Sequence, residues 1–167
     1  MKIAFFTDTY NPSLNGVVTS TNTFRRELEN LGHTVHVFAP AAPNLPSESE
    51  VTRIASVPLP TEPNCRVAVP FPRSLLIQFA RSHFDIVHTQ TPFGLGIWGA
   101  ALARMFRKPL VHTYHTFFAE YSHYLRVREE FGRAFAAQYS RIYCNRCQQL
   151  IVPSPMFIDI LRSYRIT

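Results

Sequence analysis

Cysteine, glycine and long apolar runs are what this chain has least of. Only 3 cysteines and 6 glycines occur among its 167 residues. A small, odd cysteine set builds no disulfide framework and agrees with a reducing compartment. Cys144 and Cys147 form a CxxC with no second pair, inside a stretch that reads as helix. A redox CxxC sits at a helix start, where the dipole lowers the thiol pKa, so these two read as ordinary helix residues. No stretch approaches the roughly 18 continuous apolar residues of a membrane span, and no signal-peptide core follows Lys2. The expectation is a cytoplasmic chain.

Acidic side chains are scarce only in the second half. Residues 1–90 carry seven basic and seven acidic side chains, and residues 91–167 carry ten basic and four acidic, so the whole net charge of +6 falls in the latter. Such an excess implies an anionic partner: phosphate, acidic lipid or nucleic acid. What is present in quantity is apolar: 46% hydrophobic against 17% charged residues, the balance of a folded soluble domain and enough chain for one α/β unit.

Strand-like and helix-like patterns alternate. KIAFFT reads as a first strand, 18–31 as a helix stopped by Gly32, and TVHVFA (34–39) as a second strand. Residues 40–64 form a loop-rich segment holding the short strand candidate VTRIAS, and RVAVP adds another. A helix over 72–83, a strand over 84–89, a helix over 94–106 and a strand over 109–113 follow. A long helix covers about 120–147, QLIVPS is a strand, and 155–164 closes the pattern as a helix. Apolar strands alternating with helices imply a Rossmann-like parallel sheet with helices on both faces.

In such sheets ligands bind outside the carboxyl ends of the strands. Those ends hold Asp8 and Tyr10, Gln90, Tyr114 to Thr116, and Ser154, with Glu120 further along. The first loop, TDTYNPSLNGVVTS, has a single glycine and no GxGxxG, so the dinucleotide fingerprint is absent. Asn15, Gly16 and Val17 stand just before a helix start. There a missing Cβ and free N–H groups suit an anion, although a tight connection capped by Thr19 or Ser20 accounts for the pattern equally well. Asp8 and Glu120 are isolated acids whose ordinary use is capping or hydrogen bonding.

His88, His112 and His115 would cluster if their strands are neighbours, but no carboxylate supports a zinc site and HTYH is not HExxH. His88 and His112, inside apolar strands, read as buried and satisfied. His115, just beyond a strand end, is the candidate for ligand contact or proton handling. On the long helix Phe131, Phe135 and Ile142 fall on one face and Arg126, Arg133 and Arg141 on the opposite one. That basic face is either simply solvated or a membrane contact, the latter helped by nearby Phe117, Phe118, Tyr121 and Tyr124. No nucleic-acid-binding motif accompanies the charge.

Five stretches together, KIAFFTDTYNPSLNGVVTS, LGHTVHVFAP, FDIVHTQTPFGLG, HTYHTFFAEYSHYL and LIVPSPMFIDIL, resemble the N-terminal domain of retaining glycosyltransferases of the GT-B fold, family 4. Within that group the chain is similar to enzymes that glycosylate lipids, the diacylglycerol glucosyltransferases and related mannosyltransferases. The resemblance implies one half of a GT-B enzyme, with residues 1–167 as the acceptor-side Rossmann-like domain and a separate nucleotide-sugar-binding domain absent from the chain. It implies transfer of a sugar from a nucleotide-sugar to a hydroxyl acceptor with retained anomeric configuration, on a membrane lipid such as diacylglycerol. A soluble sugar or small polyol acceptor is the alternative, and a standalone flavodoxin-like binding module is the alternative of another class. In the family the loop after the first strand lies near the donor diphosphate, matching Asn15, Gly16 and Val17. The family often has two glycines there, and Asn15 stands where the first would be. The family's donor-sugar histidine matches His115. No metal or cofactor is implied, the sugar nucleotide being a substrate. The half alone is expected to be inactive and could sit peripherally at the inner face of the cell membrane.

Overall fold

The computed structural model describes residues 1–43, 45, 47–59, 62–69, 73–115 and 129–166. Eight strands and five helices lie in this range: β1 Lys2–Phe6, α1 Gly16–Asn30, β2 Thr34–Pro40, β3 Val51–Ile54, β4 Ser56–Leu59, β5 Glu62–Ala68, α2 Arg73–Ser82, β6 Ile86–Thr89, α3 Gly94–Met105, β7 Leu110–Thr113, α4 Glu129–Cys144, β8 Gln149–Ile151 and α5 Pro155–Ser163.

Six strands form a parallel sheet in the order β3-β2-β1-β6-β7-β8. With the antiparallel pair β4-β5 set aside, the sheet strands in chain order run 3-2-1-4-5-6, the Rossmann arrangement. RVAVP falls within and just past β5, a strand as expected, which pairs antiparallel with residues 56–59. Both faces of the sheet are covered, which is why β1 is apolar at consecutive positions. Ala4 and Phe6 pack with Leu75 and Phe79 of α2 and Leu95, Leu102 and Ala103 of α3. Ile3 and Phe5 face the other way, with Val35, Val37 and, from α1, Phe24 and Leu28.

Local chemistry sets the helix ends. The α1 N-cap is Asn15, whose side chain accepts from the Val18 N–H at 3.0 Å, rather than Thr19 or Ser20. Asparagine outranks threonine at a cap because its amide oxygen reaches the third N–H readily. At the other end Gly32, at φ 80°, donates to Glu29 O while His33 N–H reaches Leu28 O, a Schellman closure that a side chain at Gly32 would strain. In α3 two glycines permit close packing on the sheet. A Cβ at Gly96 would overlap the Thr91 carbonyl oxygen, and one at Gly99 would lie 2.7 Å from the Phe6 ring.

Helix α4 departs from expectation. Phe131, Phe135 and Ile142 are 63%, 66% and 45% exposed, so the face marked as apolar points outward. The helix instead approaches the sheet through Gly132, Ala136, Ser140, Tyr143 and Cys144. Small residues let it come close, and Tyr143 reaches in so that its hydroxyl lies 3.0 Å from both Thr89 Oγ1 and the Gly96 carbonyl oxygen, donating to one while the Thr89 hydroxyl can also serve as donor. Cys144 ends the helix and is buried, while Cys147 lies beyond it. Burial pushes both thiols up to about 12, so neither is a ready thiolate.

Candidate functional site

The direction of chain progression reverses between β1 and β6, and the crevice expected at such a switch point opens beyond Phe6 and Thr89. Four of the singled-out residues meet around it: Asp8, Asn15, Gln90 and His115.

Asp8 is held by the fold. Its carboxylate accepts from Thr91 Oγ1 at 2.6 Å and from the Leu95 N–H at 2.7 Å, so it closes the N-terminus of α3 from a neighbouring strand end. Desolvation raises its pKa and these hydrogen bonds oppose the rise. Asp8 therefore serves as a cap, and the N-terminus of α3 is already occupied by a carboxylate. Thr91, which the sequence reading passed over, carries that link.

The N-terminus of α1 has no such closure. Asn15 is exposed, and its Nδ2 donates to Thr9 Oγ1 at 2.9 Å, tying the cap to the β1 loop. Among the described residues the Gly16 and Val17 amides meet no acceptor, and the first turn holds no acidic side chain. A Cβ at Gly16 would meet nothing within 4 Å. Gly16 is thus open to solvent, and its small size serves nothing inside the fold. These are the features of an anion-receiving helix start.

His115 lies half-buried just past β7. With oxygen and nitrogen of the Gln90 amide assigned from the hydrogen-bond network, His115 Nε2–H donates to Gln90 Oε1 at 2.9 Å. Burial pulls its pKa down to about 4, so the ring is neutral at pH 7 and Nδ1 keeps its lone pair. Gln90 is 1% exposed, and its Nε2 has no partner among the described residues. A neutral imidazole accepting at Nδ1 can bind a hydroxyl or take its proton.

The other two histidines are core groups on opposite faces of the sheet. His88 packs edge-on against Phe5 and shares a 2.7 Å hydrogen bond with Thr113 Oγ1. His112 packs against Tyr143, and its Nδ1 lies 2.9 Å from both Thr89 O and Thr89 Oγ1. His88 is buried with its Nε2 paired, whereas His112 Nε2 is buried without a partner among the described residues. Burial holds both near pKa 3.

These shifts have a measurable consequence. All three histidines titrate below the ordinary value of 6.5, so the unfolded chain binds more protons than the folded one in that range. The stability they confer is complete above 6.5. It is lost as pH falls through 6.5 toward 4 for His115 and toward 3 for His88 and His112. For each buried histidine the limiting slope is about 1.4 kcal/mol per pH unit. Asp8, with its raised pKa, opposes part of this at the acid end. The melting temperature is expected to fall steadily on acidification from about pH 6.5, with protons taken up on unfolding at about pH 5. A flat melting temperature across that interval would contradict the burial described.

Other candidates are placed elsewhere. Tyr114 is not in the crevice: it is 1% exposed, bonds Ser140 Oγ at 3.0 Å, and packs with Tyr143, Cys144 and Leu161. The strand's period of two turns it into the core while His115 faces out. Tyr10 has a buried ring, and its hydroxyl accepts from Arg25 at 3.0 Å. Ser154 occupies the N-cap position of α5 beyond β8 at the sheet edge, without a side-chain cap bond. Thr116, Glu120 and Arg126 lie outside the described residues, as do Phe117, Phe118, Tyr121 and Tyr124. Arg133 lies on α4 but its side chain is outside the description, and Arg141 is half-buried.

Sequence reasoning also missed a crevice beside the first loop. It spans about 370 Å³, counting its opening to solvent, and is lined by residues 8–13 with Pro40, Ala42, Leu45, Arg53 and Arg66. The available signal was Arg53, an arginine inside the strand candidate VTRIAS.

Comparison with known proteins bears on the family and the fold. The profile of Glycosyltransferase Family 4 matches residues 14–167. An alpha-monoglucosyldiacylglycerol synthase of Streptococcus pneumoniae is 35% identical over 99% of this chain and 38% of its own length. That of Acholeplasma laidlawii is 30% identical over 95% of the chain and 42% of its own length. A GDP-mannose-dependent alpha-mannosyltransferase of Corynebacterium glutamicum is 31% identical over 99% of the chain and 41% of its own length. The chain thus spans about two fifths of the relatives it matches. Among solved structures, a UDP-GlcNAc 2-epimerase of Methanocaldococcus jannaschii superposes with a TM-score of 0.58 at 15% identity, over 100% of this chain and 43% of that one, which speaks for the fold alone. With the profile covering nearly its whole length, the chain belongs to Glycosyltransferase Family 4.

Proposed function

We propose that this chain is the acceptor-side half of a retaining glycosyltransferase that moves a sugar from a nucleotide-sugar to a hydroxyl of a membrane lipid such as diacylglycerol. The observation that carries the reading is the pairing, at one switch point, of an open helix start at Gly16 with a neutral histidine at His115. The first suits the donor's phosphates and the second a sugar hydroxyl. The relatives' names support the chemistry, two of them being synthases of a glucosylated diacylglycerol and one a GDP-mannose-dependent mannosyltransferase. Most donor contacts are assigned to a second unit, corresponding to the remainder of the relatives' length. No step is assigned to a metal.

The lipid acceptor implies contact with a membrane surface. No helix among the described residues is long and apolar enough to cross one, so the contact would be peripheral. Outward-facing Phe131, Phe135 and Ile142 on α4 support such a surface.

The complete polypeptide, assayed with UDP- and GDP-sugars against diacylglycerol in vesicles and against soluble polyols, tests the proposal. Transfer to the lipid is expected. Faster transfer to a soluble polyol would overturn the acceptor assignment, and no transfer to either would overturn the reaction.

A further inference from the structure

The crevice beside the first loop shares Asp8 with the site at Gly16 and His115 but none of Asn15, Gly16, Gln90 or His115, and its charges are unevenly matched. Arg25, nearby, is neutralised by Glu29 at 3.0 Å and Glu48 at 2.7 Å. Arg53 has only the far oxygen of that same Glu48, at 4.0 Å. Arg66 has no carboxylate partner among the described residues.

Both guanidiniums are nonetheless fixed in place. Arg53 donates to Asn11 O at 2.9 Å and to Pro40 O at 3.4 Å, and lies over the Tyr10 ring at 5.2 Å. Arg66 donates through Nε to Ala41 O at 2.7 Å and to Ser56 Oγ at 2.8 Å, and through Nη2 to Ser56 O at 2.8 Å. Both arginines, held on the consecutive residues Pro40 and Ala41, line the crevice. Each guanidinium has five N–H donors, and most of those on the Nη nitrogens remain uncommitted. The acid that lines the crevice, Asp8, turns both carboxylate oxygens toward Thr91 and Leu95. Two anchored, under-neutralised forks beside a polar loop match the geometry of a carboxylate or phosphate.

We infer that the crevice lined by Arg53 and Arg66 binds an oxyanion, a phosphate or a carboxylate on a small molecule, separately from the open helix start at Gly16. Burial lowers the Arg53 pKa and the weakly placed Glu48 does not restore it, in keeping with a cation short of a counter-charge. The binding does not rest on the proposed function, whose acceptor, diacylglycerol, carries no charge.

The test is calorimetric titration of the protein at fixed ionic strength with inorganic phosphate, glucuronate and, as the neutral comparison, glucose. Phosphate or glucuronate is expected to bind with one site per chain and glucose not at all, and the tighter of the two anions identifies the source. Arg66→Gln is expected to weaken binding at least 10-fold, Arg66→Lys to weaken it less, and Arg26→Gln, on the outer face of α1, to leave it unchanged. Anions binding no better than glucose, or Arg66→Gln binding like the unaltered protein, would overturn the inference. Amide NMR of the unaltered protein decides independently of any variant: phosphate should shift Asn11 and Ser13. Shifts confined to Gly16 and Val17, or none, would contradict it.

Discussion

Replacing His115 with alanine in the complete polypeptide is expected to lower turnover by about 10²- to 10⁴-fold, the range for losing a positioned proton-handling or hydroxyl-binding group. The fold should survive. Among the described residues His115 makes one hydrogen bond, to Gln90, and its ring is absent from the three apolar clusters. Loss of that bond leaves the Gln90 amide unpaired, at a cost of about 1–3 kcal/mol. The two effects are separable by measuring kcat alongside a urea unfolding curve. Turnover equal to that of the unaltered enzyme would remove His115 from the site. Because its pKa lies near 4, activity should also not report a histidine titration between pH 6 and 8.

The second large effect is expected at Gly96, and it is structural. An alanine methyl there would occupy the position of the Thr91 carbonyl oxygen, which cannot yield without moving the β6–α3 connection. The same connection holds Thr91 against Asp8, so the strain passes into the α3 cap. Gly96→Ala is therefore expected to destabilise by about 3 kcal/mol, at the upper end for overpacking. Gly99→Ala should behave similarly, because the Phe6 ring it meets is stacked on Phe38. Gly16→Ala should change stability by no more than about 0.5 kcal/mol while impairing donor engagement, since its Cβ would enter only open space. Three glycine-to-alanine changes thus separate packing from function. A Gly96→Ala protein as stable as the parent would show that α3 does not approach the sheet so closely.

The strands of the parallel sheet, though not their order, were readable because a doubly covered parallel sheet leaves nearly unbroken apolar runs, such as IAFF at 3–6 and FDIV at 84–87. The two-residue periodicity could not say whether His88 and His112 share a face. That depends on the β6–β7 register, where Thr89 rather than His88 stands opposite His112. The outward face of α4 was misread for a related reason. Phe131 and Phe135 announce a core face, yet close packing selected Gly132, Ala136 and Ser140. Asp8 was legible as a cap but its partners were not, since Leu95 is 87 residues away. The Arg53 and Arg66 crevice escaped notice because its charge lies in the half of the chain that is neutral in sum, and only the hairpin of β4 and β5 brings the two arginines together.

The account's central claim is that the helix start at Gly16 and the histidine at His115 flank one site for retaining sugar transfer. The most direct measurement is the anomeric configuration of the first product formed by the complete polypeptide from an α-linked nucleotide-sugar, read by proton NMR, together with its rate in the Gly16→Ala and His115→Ala variants. The account predicts an α-linked product, and strongly reduced formation in both variants although both remain folded. An inverted β-linked product, or undiminished transfer by both variants, would contradict it.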